Sequence, residues 1–127
     1  MSEHSTNNPQ PVNLERLERL CKGDLEKKQL YLRRFLELVP RGVDQIQTGL
    51  RTTDGELVRQ TIHFLVPQLV FFGIAEFSEI LEKLGPSPDQ ATLAKLRAPI
   101  EQAVEQVQKA VFEIEKTLND LLQNSNQ

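Results

Sequence analysis

Apolar residues recur at intervals of three, four and seven along most of this chain, a spacing that places them on one face of an α-helix. One long series runs from Leu25 to Leu50, and another runs from Leu93 to Leu121. Between them lies a third stripe, formed by Val58, Thr61, Ile62, Leu65, Leu69 and Phe72. No stretch alternates strictly as a β-strand would, so the pattern predicts an all-α protein.

Capping residues divide the pattern into separate helices. Asn13 is an N-cap candidate for a short first helix, which Gly23 ends. Asp24 should cap the long second helix, and Asp54 or Thr53 should cap the central one. Four substantial amphipathic segments with short connections predict an up-and-down antiparallel four-helix bundle, preceded by a short additional N-terminal helix.

Prolines and one glycine refine these boundaries. Pro40 falls inside the second helix, but the apolar series stays in phase across it, which predicts one bent helix. Gly73 interrupts the central helix, and a further helical segment follows up to Gly85, with the apolar positions Ile74, Phe77, Ile80, Leu81 and Leu84. Ser87 and Gln90 match a capping box, and Pro88 would then occupy the first position of the last helix.

The chain has the length of a single domain. Residues 1–12 are polar and non-periodic, so we expect a mobile tail there. The bundle should occupy residues 13–122, and residues 123–127 should fray. A chain of 127 residues is long enough to bury a core without disulfides or a metal ion.

Charge and composition exclude several classes of function. The net charge is −3 with no basic stripe, which argues against a nucleic-acid partner. Cys21 has no partner cysteine and no signal peptide is evident, so we expect a cytoplasmic protein. The longest apolar run, from Phe64 to Ile74, is interrupted by a proline and a glutamine and is too short to span a membrane.

His63 stands in this apolar run and is the one histidine outside the N-terminal tail. No second histidine, cysteine or paired carboxylate lies three or four residues away, so no metal or other cofactor is expected. A catalytic triad is equally poorly supported. An imidazole without an orienting carboxylate instead suits a nucleophile that itself accepts a group. Its helical face also carries Arg59, Val66, Pro67 and Val70.

The run His63-Phe64-Leu65, with Gly73 ten residues after the histidine, resembles the signature of histidine-containing phosphotransfer (HPt) domains. That signature has an apolar residue two positions after the histidine, lysine at three, a small residue at four and glycine at ten. The resemblance covers roughly Leu14 to Leu122. It includes Gly23-Asp24 at the start of a long helix, the Phe35-Leu36 pair, Pro40 and the turn at Asp54.

The resemblance implies a four-helix bundle without a nucleotide site. An exposed His63 would take a phosphoryl group from an aspartate of one receiver domain and pass it to another. We therefore expect a phosphocarrier rather than an enzyme. Its partners would be response-regulator receiver domains, with a hybrid histidine kinase as a further candidate. Nucleic acid and membrane are not expected partners, and a monomer is favoured over a dimer.

Two positions depart from the HPt signature. Val66 replaces the lysine, and Arg59, one turn before His63, is either a substitute cation or an ordinary surface arginine. Pro67 replaces the small residue and removes the N–H that would bond the His63 carbonyl, which predicts a bend there. Together with Val70, these residues form either a docking rim for a receiver domain or a surface covered by the N-terminal helix or a second subunit.

Gly73 is expected to permit close helix packing under the site. Two other functions remain open. The chain is either a degenerate HPt-like adaptor that binds a receiver or kinase without carrying phosphate, or an unrelated bundle for oligomerisation or scaffolding. Burial of the His63 ring would argue against phosphoryl transfer and against the HPt resemblance.

Overall fold

Five α-helices make up the fold in a computed structural model that describes residues 12–125. They are α1 (Glu15–Cys21), α2 (Leu25–Arg51), α3 (Gly55–Phe71), α4 (Glu76–Leu84) and α5 (Gln90–Ser125). The described residues contain no strand, which confirms the all-α prediction. The tail expected over 1–12 lies outside the described residues except for Val12, which packs against the core.

All five helices contribute to one hydrophobic core. α2 packs against α3 and α5, α4 packs against the same two helices, and α1 lies on α2. The apolar series identified in the sequence supply this core. All six members of the α3 stripe are buried, namely Val58, Thr61, Ile62, Leu65, Leu69 and Phe72.

The predicted caps of α2 and α3 are confirmed. An Asp24 carboxylate oxygen accepts the Lys27 N–H at 3.1 Å, and Asp54 accepts the Leu57 N–H at 3.1 Å. Each bond satisfies one of the N–H groups that a helix start leaves without an intrahelical acceptor. α2 continues through Pro40 as one helix, as the unbroken phase of its apolar residues predicts.

The predicted start of the last helix is wrong. α5 begins at Gln90, and the Asp89 carboxylate, not Ser87, accepts the Thr92 N–H at 2.8 Å. Hydrogen bonds from the backbone and side chain of Thr92 lower the pKa of Asp89. Pro88 therefore lies before the helix. A carboxylate is a strong acceptor at a helix start, where the macrodipole favours negative charge, so Asp89 takes the capping position.

The ends of the first and last helices differ slightly from the prediction. The residue that caps α1 is Leu14, although the Asn13 side chain still accepts the Glu15 N–H at 2.9 Å. α5 continues to Ser125, three residues beyond the predicted end at Leu122. Helix ends are the positions where periodicity carries least information, because the last turns bury few side chains.

Two glycines of α2 bring this helix close to α3. A Cβ atom on Gly42 would lie 2.5 Å from a methyl carbon of Leu65, and one on Gly49 would lie 2.6 Å from a methyl carbon of Val58. Both contacts are shorter than carbon atoms tolerate, so the α2–α3 interface depends on glycine at these positions. The buried face of α3 is thereby fixed, and the opposite face meets solvent.

Gly42→Ala should lower the free energy of unfolding by about 1–3 kcal/mol, because overpacking against Leu65 outweighs the helix propensity of alanine. The measurement is urea denaturation followed by circular dichroism. The Leu65→Ala variant provides the matched background, because it leaves a cavity next to Gly42. In that background Gly42→Ala should lower the free energy of unfolding by at least about 1 kcal/mol less than it does in the wild-type chain. Equal costs in both backgrounds would contradict the close α2–α3 contact.

Candidate functional site

His63 lies near the middle of α3 and is exposed to solvent. Its neighbours Ile62 and Leu65 are fully buried, so the side of α3 that carries the imidazole points away from the core. The ring makes no hydrogen bond with the described residues, and no carboxylate among them orients it. A nucleophile on an open surface is accessible to a reactive group carried by another protein.

The surface around the imidazole is largely apolar. Phe64 has 61% of its surface exposed, and Pro67 is exposed as well. Val66 and Val70 are half-buried, and Val66 packs against the core. We define the apolar rim as Phe64, Val66, Pro67 and Val70. Phe64 is an addition to the set expected from sequence, and its position outside the apolar stripe of α3 is the signal that identifies it.

Arg59 is a cation without an ion-pair partner among the described residues. Its side chain is half-buried, and the Nε atom is fully buried without a hydrogen-bond acceptor. Residues four apart on a helix have Cβ atoms about 6 Å apart, so Arg59 lies beside His63. Because the Nε atom is buried, only the two Nη groups of the guanidinium can meet an incoming anion.

The acidic group on the same face of α3 is already engaged. Glu56 lies two turns before His63 and accepts a hydrogen bond of 2.7 Å from the Gln60 side chain. This bond holds the carboxylate on the amino-terminal side of Gln60. Arg59 is therefore the charged group nearest to His63 along α3.

Pro67 lies inside α3, one turn after His63. Proline has no N–H, so it cannot donate the helical hydrogen bond to the His63 carbonyl, and its ring crowds that carbonyl. α3 nevertheless continues to Phe71. The turn that joins His63 to the end of the helix is therefore one hydrogen bond short.

Gly73 lies beyond the end of α3 with φ of 84°, a left-handed conformation that glycine adopts without strain. Its N–H donates to the Val70 carbonyl at 2.9 Å, and the Ile74 N–H donates to the Leu69 carbonyl at 2.8 Å. These two bonds form a Schellman motif. Ten residues along a helix span about 15 Å, so Gly73 ends the histidine helix at a distance from the imidazole.

The described residues hold no other evident chemical centre. No group of three or more histidine, cysteine, aspartate or glutamate side chains is arranged to bind a metal ion in this part of the chain. A groove of about 900 Å³ lies beside Phe112 and Leu14, and none of its lining residues belongs to α3. Within residues 12–125, no helix has the length and apolar character to cross a membrane.

Comparison of the chain with models of protein families, with curated proteins and with solved structures found no match in any of the three. Function is therefore inferred from the residues and geometry of the site.

Pro67→Ala should raise the free energy of unfolding by about 1–3 kcal/mol, because the new N–H completes the hydrogen bond to the His63 carbonyl. Pro99→Ala is the matched control, since Pro99 is also an exposed proline inside a helix. Amide hydrogen exchange should show added protection next to His63 for the first variant alone. Unchanged protection there would mean that the carbonyl is already satisfied.

Proposed function

We propose that this protein is a phosphocarrier of the HPt type, with His63 as the phosphoryl acceptor and donor. The observation that carries the proposal is an exposed imidazole on the outward face of a helix whose opposite face is buried in the core, with no hydrogen-bond partner for the ring within residues 12–125. In this role the protein works in the cytoplasm as a monomer between receiver domains. Their reactive aspartates exchange the phosphoryl group with His63.

The packing of the helices supports an up-and-down bundle for this role. Consecutive helices from α2 to α5 are in contact, and α5 returns to α2, which closes a ring of four. Gly42 of α2 approaches Leu65 of α3, whereas Gly49 approaches Val58. The two helices therefore run in opposite directions along their interface. Such a bundle leaves the outward face of α3, which carries His63, open to a docking partner.

The chemistry requires only an accessible lone pair on the His63 ring. The unprotonated ring nitrogen attacks the phosphorus of an aspartyl phosphate on the partner. A P–N bond forms, the P–O bond to the aspartate breaks, and the aspartate leaves as a carboxylate. The reverse step returns the phosphoryl group to an aspartate of the next receiver. Phosphoryl transfer needs positioning and charge stabilisation more than covalent assistance from the protein.

Arg59 supplies the charge stabilisation in this proposal. The HPt signature places a lysine three residues after the histidine, and Val66 at that position is half-buried and apolar. Arg59 lies one turn before His63 and has no ion-pair partner among the described residues. Its guanidinium approaches the phosphoryl oxygens from the amino-terminal side of His63, whereas the lysine of the signature would approach them from the carboxyl-terminal side.

The apolar rim docks the receiver domain. Phe64 and Pro67 are exposed next to His63, and aromatic residues in such patches are enriched at protein interfaces. The same rim supports a second candidate function, an adaptor that binds a receiver or kinase without carrying phosphate. The observation in its favour is the replacement of the lysine by Val66.

Phosphoryl transfer from a phosphorylated receiver domain tests the proposal directly. The wild-type chain should acquire an acid-labile, base-stable phosphoryl label, and His63→Gln should abolish it because no imidazole remains on α3. His4→Gln removes the other histidine of the chain and should leave the label unchanged. Binding of wild type to the receiver without any label would exclude the carrier and support the adaptor.

Arg59→Gln should slow this transfer about tenfold, corresponding to about 1.4 kcal/mol lost from the transition state. The initial rate of label transfer at fixed receiver concentration is the measurement. Arg33→Gln makes the same change of charge at an exposed position of α2 and should leave the rate within about twofold. Equal rates for Arg59→Gln and wild type would show that Arg59 does not contribute to phosphoryl transfer.

A further inference from the structure

α1 is attached to the carboxyl-terminal end of the histidine helix by two hydrogen bonds. The Arg16 Nη1 donates to the Val70 carbonyl at 2.8 Å, and the Asn13 N–H donates to the Phe72 carbonyl at 2.9 Å. Leu17, one residue after Arg16, is fully buried and anchors α1 in the core. We call these two bonds the α1 clasp.

The clasp fits closely against the end of α3. A Cβ atom on Gly73 would lie 2.7 Å from the Asn13 Cβ, so glycine is needed for the approach of the N-terminal segment as well as for the left-handed turn. The Val70 carbonyl accepts two bonds, one from the Gly73 N–H and one from Arg16. The guanidinium also places positive charge at the negative end of the α3 dipole.

The clasp reinforces the last turn of α3, which follows the proline. Pro67 deprives the His63 carbonyl of its usual donor, so the helix lacks one hydrogen bond just before the turn from Gln68 to Phe71, although Leu69 anchors that turn in the core. Val70 belongs to this turn and follows His63 by seven residues, close to two full turns of helix. The same face of α3 therefore carries the imidazole on one side of Pro67 and the clasped residue on the other.

We propose that Arg16 is a positioning residue for the histidine site. The α1 clasp keeps the turn that contains Val70 in line with His63, and without it the backbone of this turn opens more often while Leu69 stays in the core. The imidazole itself stays in place because its own part of α3 is fixed by Leu65 on α2. Loss of the clasp thus loosens Val70, one of the four residues of the apolar rim, and leaves the nucleophile intact. The consequence for docking rests on the proposed function, whereas the conformational coupling does not.

Amide hydrogen exchange of the full chain, resolved by residue with NMR, tests the coupling. Arg16→Gln should accelerate exchange of the Gly73 and Ile74 amides at least about fivefold, because a charged hydrogen bond no longer closes the helix end. Amides of α3 before His63 should be unaffected. Arg16→Lys retains a charged donor and should restore most of the protection. Arg19→Gln, one turn away on α1, is the matched control and should have no effect.

Two phosphoryl donors separate positioning from chemistry. With a phosphorylated receiver domain, Arg16→Gln should raise the receiver concentration needed for half-maximal transfer about fivefold, with the maximal rate within about twofold. With phosphoramidate, a small donor that needs no docking rim, the rate of His63 phosphorylation should not change. An equal loss with both donors would mean that Arg16 acts on the imidazole and would overturn the positioning role.

The hydrogen-exchange and phosphoryl-transfer experiments test different claims, so a negative result in one does not decide the other. A wild-type chain that accepts phosphate from neither donor contradicts the proposed function, and the exchange data then decide the coupling alone. Normal exchange in Arg16→Gln would overturn the clasp even if phosphoryl transfer works. Faster exchange with unaltered transfer from the receiver would show that the clasped turn does not serve the histidine site.

Discussion

The contact between Leu65 of α3 and Gly42 of α2 determines which side of the histidine helix meets solvent. Because a helix is rigid, fixing Leu65 against α2 also fixes the direction of His63, two residues earlier in the chain. The absence of a side chain at Gly42 allows the two helices to approach closely enough for this contact. The exposure of the imidazole is thus a property of the core and needs no separate support at the surface.

The orientation of α3 on the core also explains why the exposure of side chains varies around the site. Residues directly opposite the buried stripe, such as Pro67, are exposed, whereas Val66 is nearer the core and half-buried. An apolar residue is compatible with that edge position, and a lysine would have to extend past the core to reach solvent. Arg59 occupies the same helix one turn before His63 and places a cation on the amino-terminal side of the imidazole.

Much of the fold follows from sequence because its determinants are local. The spacing of apolar residues predicts the buried stripe of α3, and the short acidic side chains of Asp24 and Asp54 mark helix starts. Where two local signals compete, as Ser87 and Asp89 do before α5, the sequence does not say which acceptor binds the free N–H groups. The phase of α3 predicts the outward direction of His63.

Long-range contacts are beyond such local rules. Arg16 and Val70 are 54 residues apart, and no spacing rule connects a surface arginine with the carbonyl at the end of a distant helix. The closeness of Gly73 to Asn13 is likewise invisible in the sequence, because it depends on where the N-terminal segment lies. The exposure of Phe64 becomes evident only when the buried side of α3 is known.

The exposed ring of Phe64 has a thermodynamic consequence for any association at this surface. Contacts between apolar groups are almost insensitive to ionic strength, whereas exposed charge pairs weaken as salt screens them. Removing an aromatic ring from water is driven mainly by entropy near room temperature and carries a negative heat-capacity change. A complex formed over this ring would therefore persist in concentrated salt, and its binding enthalpy would become steadily more favourable as the temperature rises.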